Sequence, residues 1–329
     1  MNKEIYLNSK IFLNPEEIEK VSICQGFNDG LLMSGDNDKR VVTFCPSSIE
    51  LKKSQFAKEY PERFFKDNTE QSLFSVAFGM AVMGKIPFVL LSSLFPSDKS
   101  WEQIKRTMFY NDMPIKIIGS YDGIFSGLSN RRMFDEREGV SSMRSIPSMT
   151  ILSPCDAIEA QKATIYAAQT DGPVYISFPR EDTPIITTEE TPFGIGKAEI
   201  FFRPEGDADV GIITTGPLAY NAILAAKELD YEGIRVRVLN LSTIKPLDID
   251  AIVELAQQTG KIITLEEHQT RGGLGSIIAE TLAQILPVKM RFIGAHNIFG
   301  RLEEQEESVV NYCMNIENIK KVVRQINEN

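Results

Sequence analysis

Residues 64–103 read FFKDNTEQSLFSVAFGMAVMGKIPFVLLSSLFPSDKSWEQ, and the architecture of the chain turns on them. Glu70 stands at the entrance of an apolar run in which Ser75, Ala77, Gly79, Ala81 and Gly84 are small enough for close helix packing. Lys85 and Pro87 end that helix. The β-prone run Phe88-Val89-Leu90-Leu91 follows and closes in Ser92-Ser93-Leu94-Phe95. An acid at a helix start and an aromatic after a strand end thus come to one edge of a sheet, where open α/β folds bind ligands. A carboxylate in apolar company has a raised pKa and can share a proton with a heterocycle nitrogen.

Outward from this stretch, strand and helix alternate. Asn14-Pro15-Glu16-Glu17 predicts a helix start, with a capping Asn, Pro in the first turn and acids at the positive end of the dipole. That helix is expected to run to about Met33 and stop at Gly35. Short strands are expected at residues 40–44, 115–119, 150–153 and 174–178, the last two flanking an alanine-rich helix over 156–169. A helix is expected near residues 101–110. The pattern argues for a mostly parallel sheet covered on both faces. Residues 181–196 then carry Pro184, Pro192, paired threonines and two glycines, the composition of an exposed crossing. A second alternation follows, with strands at 210–214, 234–239, 261–265 and 288–293. The expected class is α/β in two domains, residues 1–183 and 205–329, joined by a linker over 184–204.

The chain has 329 residues, enough for two domains with a large core. Its formal charge of −10 argues against nucleic acid or an anionic membrane as the main partner, so an anionic substrate needs a local cluster of Arg or Lys. No segment is long and apolar enough to cross a bilayer, and the start MNKEIYLNSK has no charged-then-apolar leader. Cys24, Cys45, Cys155 and Cys313 are scattered without a CxxC pair, and only His268 and His296 could help them. Reduced cytoplasmic thiols fit better than a zinc site or a disulfide frame.

The TEQ sequence at 69–71 and its spacing to Phe95 resemble the cofactor-activating segment of the transketolase family of thiamine diphosphate enzymes. The resemblance implies that Glu70 protonates the aminopyrimidine ring and that Phe95 stacks on it, with Trp101 nearby where the family has Tyr, one inserted residue apart. Without the resemblance, Glu70 is a helix-start acid favoured by the dipole and Phe95 is core. Residues 193–198, 207–216, 242–248, 266–268 and 272–276 resemble the family's carboxy-terminal domain. Its Gly272-Gly273-Leu274-Gly275-Ser276 turn has a geometry also used for phosphates, though here the structural role of a close backbone approach is favoured. His268 is read as a structural or interface histidine. The resemblance covers nearly the whole chain but only the second half of a full-length transketolase. The family's GDG motif, which holds diphosphate and metal, is absent. The implication is a split enzyme, an α2β2 heterotetramer in which an N-terminal subunit supplies the diphosphate site and its Mg2+ or Ca2+.

The substrate side departs from the family. The loop after the strand at 115–119 has Tyr121 where a histidine is usual, and Ser129-Asn130-Arg131-Arg132-Met133-Phe134 replaces the usual His-bearing run. The early phosphate-gripping Arg is matched by Cys24. Ser47 and Arg180 survive as anion contacts. Arg131 and Arg132 either clamp a phosphate or carboxylate, as guanidinium does bidentately, or form a solvated pair with Asp135 and Glu136. The expected function is ketol transfer between sugar-type substrates through the thiamine carbanion, as the C-terminal subunit of a split transketolase-like enzyme. The alternatives are the β subunit of a 2-oxo acid dehydrogenase or acetoin-type enzyme, acyl transfer like that of deoxyxylulose phosphate synthase, and a non-catalytic assembly subunit.

Overall fold

A computed structural model describes residues 6–47, 54–67, 69–91, 101–102, 104–105, 112–119, 139–179, 181–295 and 314–328, apart from the side chain of Glu70. The helices are α1 (Lys10–Leu13), α2 (Ile23–Asn37), α3 (Gln55–Glu59), α4 (Glu70–Val82), α5 (Gly139–Arg144), α6 (Ala157–Gln169), α7 (Ala219–Tyr231), α8 (Ile249–Thr259), α9 (Leu274–Ile285) and α10 (Ile316–Glu328). The early strands are β1 (Lys20–Ser22), β2 (Val41–Pro46), β3 (Phe64–Asp67), β4 (Ile86–Leu91), β5 (Lys116–Gly119), β6 (Thr150–Leu152), β7 (Val174–Ser177) and β8 (Asp182–Pro184). The later ones are β9 (Glu199–Phe202), β10 (Val210–Thr214), β11 (Val236–Asn240), β12 (Thr243–Lys245), β13 (Lys261–Gln269) and β14 (Lys289–Ala295).

The first sheet has the order β12-β6-β7-β5-β4-β2-β3 and is parallel except where β12 runs against β6. Strands buried on both faces are apolar throughout rather than alternating. Val42, Phe44 and Val89 pack with Leu73, Phe74, Ala77 and Ala81 of α4 on one face. Val41, Cys45, Phe88 and Leu90 pack on the other with α2 and α6. Those two helices touch backbone to backbone, since a Cβ at Gly26 would lie 1.8 Å from the Ala157 carbonyl oxygen.

The second sheet has the order β14-β13-β10-β11-β9, parallel except for β9. Helices α7 and α10 cover one face, α8 and α9 the other. The α/β class of two helix-flanked, mostly parallel sheets is as the sequence implies. The division near residues 183 and 205 is nonetheless crossed in both directions. β12 of the later half joins the first sheet, and Leu7, Ile11 and Ile18 pack with α7 and α10.

Two local expectations are corrected. The segment from Asn14 is not one helix. A 3-10 turn (Pro15–Glu17) leads into β1, which pairs antiparallel with β8, and α2 starts afresh where the Ser22 side chain accepts from the Cys24 amide. Pro87 does not end α4 but lies inside β4. It pairs with Val42 on the β2 side, and the β5 ladder begins only at Phe88, so its missing N–H leaves no partner unmet there. Gly84, at φ +81°, makes the turn instead.

Candidate active site

Leu91, Gly119 and Ser177 sit side by side in register at the carboxyl ends of β4, β5 and β7, and Pro46 pairs with Asp67 at the ends of β2 and β3. From β2 the chain moves outward to β3; it then returns to β4 and departs on the opposite side. The crevice outside neighbouring strands whose connections diverge is where such sheets bind ligands. Two of the cofactor and substrate candidates stand at this edge among the described residues. Ser47 comes directly after β2, and Glu70 opens the helix after β3. Phe95, Tyr121 and Arg180 follow the ends of β4, β5 and β7 in sequence; they lie outside the described residues, as do Arg131 and Arg132.

Among the described candidates, Trp101 is helical and half-buried against the first core. Ser47 is exposed, with its amide 2.9 Å and its hydroxyl 3.3 Å from the Asp67 carbonyl oxygen. The β2 exit is thereby fastened to the β3 exit. Asp67 in turn holds the start of α4. Its Oδ1 accepts from the Thr69 amide at 3.3 Å and its Oδ2 from the Ser72 hydroxyl at 2.6 Å, while Thr69 at the N-cap makes no capping bond with its own side chain. Sequence reasoning missed Asp67, although an Asp bonding two residues onward is a familiar turn signal.

Helix α4 is apolar around most of its circumference, and one side of it is uncovered. Ser75, Val76, Gly79, Val82 and Met83 are exposed, and no described atom lies within 4 Å of where a Gly79 Cβ would be. A helix apolar all round ordinarily buries its whole surface.

The later hallmark residues build the join between the sheets. Glu266 accepts from the Leu274 and Gly275 amides at 2.7 and 2.8 Å, so its carboxylate fills the N-terminal end of α9. A Cβ on Gly273 would be 1.9 Å from Glu266 Oε2, which explains the glycine. The amides that such a turn offers to phosphate are taken by this internal acid. Burial pushes Glu266 up to about 7, against those two bonds. His268 is buried, its Nε2 3.3 Å from the Ser177 hydroxyl, and burial pulls it down to about 4, so the ring is neutral. The expected structural histidine therefore touches the strand that leads to Arg180. Glu159, pushed up to about 7 by burial and then by Asp156, is bonded by the Cys155 amide, Asn240 and Ser242. Cys24, Cys45 and Cys155 are thiols, and among the described residues no group of three or more His, Cys, Asp or Glu is arranged to hold a metal ion.

The chain matches two family models, the transketolase pyrimidine binding domain over residues 25–185 and the transketolase C-terminal domain over 196–317. The chain belongs to the transketolase family. It is 35% identical over 292 residues to the 6-deoxy-6-sulfo-D-fructose transketolase subunit SqwH of Clostridium sp. (strain MSTE9), covering 87% of this chain and 88% of that protein. It is 33% identical over 304 residues to one of the subunits of the apulose-4-phosphate transketolase of Phocaeicola vulgatus, covering 88% and 95%. A solved structure described as a split gene transketolase, inactive beta4 tetramer, superposes with a TM-score of 0.84 at 29% identity over 94% of this transketolase chain and 99% of its own.

Proposed function

We propose that this chain is the C-terminal subunit of a split, thiamine-diphosphate-dependent transketolase-like enzyme. It would transfer a two-carbon ketol unit between sugar-type substrates and act only with an N-terminal subunit, as an α2β2 heterotetramer. The observation that carries the reading is the start of α4. Glu70 opens that helix at the carboxyl edge of a parallel sheet, next to an uncovered apolar flank, in a chain that matches subunits of other transketolases along nearly their full length.

The donor set suits the ring end of the cofactor and not its charged tail. This chain offers one acid at a helix start and apolar surface beside it. The diphosphate and its Mg2+ or Ca2+ are assigned to the N-terminal subunit, which would also cover the exposed side of α4. When bound, thiamine diphosphate supplies a nucleophilic carbon that the amino-acid side chains lack. Glu70 would hold a proton at the aminopyrimidine, Phe95 would stack on that ring, and Trp101 would back the wall.

The substrate is read as a sugar with a terminal anionic group. The two relatives are named for a sulfonated and a phosphorylated sugar, and both carry such a group. Arg180, the Arg131-Arg132 pair, Ser47 and Tyr121 would receive it, guanidinium matching a tetrahedral oxyanion bidentately. In a chain of net charge −10, those arginines have to outweigh a repulsive field.

The test is reconstitution with the N-terminal subunit encoded or co-purified with it, assayed with phosphorylated and sulfonated ketoses. Thiamine-dependent turnover is expected, and Glu70→Ala should abolish it while leaving assembly intact. A reconstituted pair whose turnover survives Glu70→Ala overturns the reading.

A further inference from the structure

We propose that Asp67 is a positioning residue for Glu70, fixing where that carboxyl meets the cofactor ring; this inference rests on the function proposed above. Asp67 ends β3 and fastens two things at once. Its backbone carbonyl receives the Ser47 amide and hydroxyl at 2.9 and 3.3 Å, which locks it to the exit of β2. Its carboxylate receives the Thr69 amide at 3.3 Å and the Ser72 hydroxyl at 2.6 Å, the residues one before and two after Glu70. Glu70 is thus bracketed by two groups held by one side chain, and the backbone of that residue is fastened to the exit of β2.

The Thr69 side chain makes no capping bond, and packing through Leu73, Phe74, Ala77 and Ala81 sets the rotation of α4 only from the second turn onward. The first turn of a helix has orphan amides and frays unless a side chain engages it. A carboxylate there is also favoured by the helix dipole. A proton-sharing acid needs its oxygen within a few tenths of an ångström of one position, so fraying at Glu70 would be felt in cofactor binding more than in the fold.

The experiment uses the reconstituted pair and reads three quantities. They are the thiamine diphosphate dissociation constant by calorimetry, amide hydrogen exchange over residues 69–74, and the thermal midpoint. Asp67→Ala should weaken cofactor binding about tenfold, the scale of a lost cap, and speed exchange across that turn. Added cofactor should restore turnover, and the midpoint should fall by only a few degrees. Asp67→Asn, which keeps a carbonyl acceptor for Thr69 or Ser72, should recover most of the affinity. If Asp67→Ala fails to assemble, Ser72→Ala, which removes only the 2.6 Å bond, decides by the same readouts. Affinity like that of the wild type with a lowered midpoint overturns the inference, since Asp67 would then be a stability residue alone. A wild-type pair that binds no thiamine diphosphate overturns the underlying reading, and that result is seen before any variant is made.

Discussion

Gly273 carries no side chain because Glu266 occupies that space, whereas Gly272 stands at φ +84° beside Ser141 and Gly275 lies against Phe292 and Thr264. The Glu266 carboxylate takes two backbone amides of α9, and the Arg144 guanidinium adds a smaller favourable charge beside the helix end. Gly273→Ala should push the carboxylate off those amides or drive the backbone apart. A loss of about 2–4 kcal/mol, the scale of a buried charged group deprived of its bonds, should appear in urea unfolding. The glycines were legible as a close approach, but what approached them was not, because Glu266 lies across a turn that sequence spacing does not close. His268 makes a second residue-scale prediction. The unfolded chain takes up its proton near 6.5, whereas the buried ring refuses it until about 4. Unfolding therefore gains a proton over that interval, and stability drains as pH falls from 6.5 to 4, by up to ~3 kcal/mol. His268→Asn should flatten this acid limb relative to wild type. Identical limbs would mean the ring is protonated in the fold.

At the scale of elements, α4 carries both halves of the story. Its buried side, Leu73, Phe74, Ala77 and Ala81, packs on the sheet as its small and apolar residues announce. The opposite side, with Val76, Gly79, Val82 and Met83, is uncovered. Gly79→Leu separates the two roles. Within this chain a Cβ at residue 79 meets no described atom within 4 Å, and replacing a helix-interior Gly gains up to about 1 kcal/mol of helix propensity. The isolated chain should thus melt at a slightly higher temperature, while association with the N-terminal subunit weakens at least tenfold by titration calorimetry. A Leu variant that assembles as tightly as wild type would place the partner elsewhere. The existence and type of α4, β4, α6 and β7 were readable because long apolar periodicity survives any tertiary context. The start of α2 was not, since the capping residues at Asn14 outline a turn, and the pairing of β1 with β8, some 160 residues away, has no local signature.

For the whole molecule, the alternation of strand and helix revealed two sheets but not how they are stitched. The stitch is β12, three residues of the later half that add an antiparallel edge to β6, with Leu241 and Ile244 buried in the core shared by both sheets. Around it the charges are committed. Asn240 and Ser242 bond Glu159, Asp156 accepts from the Ile186 and Thr187 amides, and Lys245 donates to the Ile146 carbonyl. The helix-flanked first sheet looks separable on paper, since residues 1–204 contain six of its seven strands. Cutting there would nevertheless bare the β6 edge, open the core at Leu241 and Ile244, and leave Glu159 buried without two of its three partners. Each loss is of the order of 2–5 kcal/mol against a total stability of about 5–15. The fragment 1–204 should therefore lack a cooperative thermal transition and its near-ultraviolet circular dichroism, and it should bind the dye ANS as expanded states do. A sharp transition in that fragment would show that the first sheet is an independent folding unit and that β12 is decoration. The expected outcome makes the later domain part of the machinery for holding the carboxyl edge of the first sheet in shape, with His268 against Ser177 and Ser242 bonded to Ser153 among its contacts there.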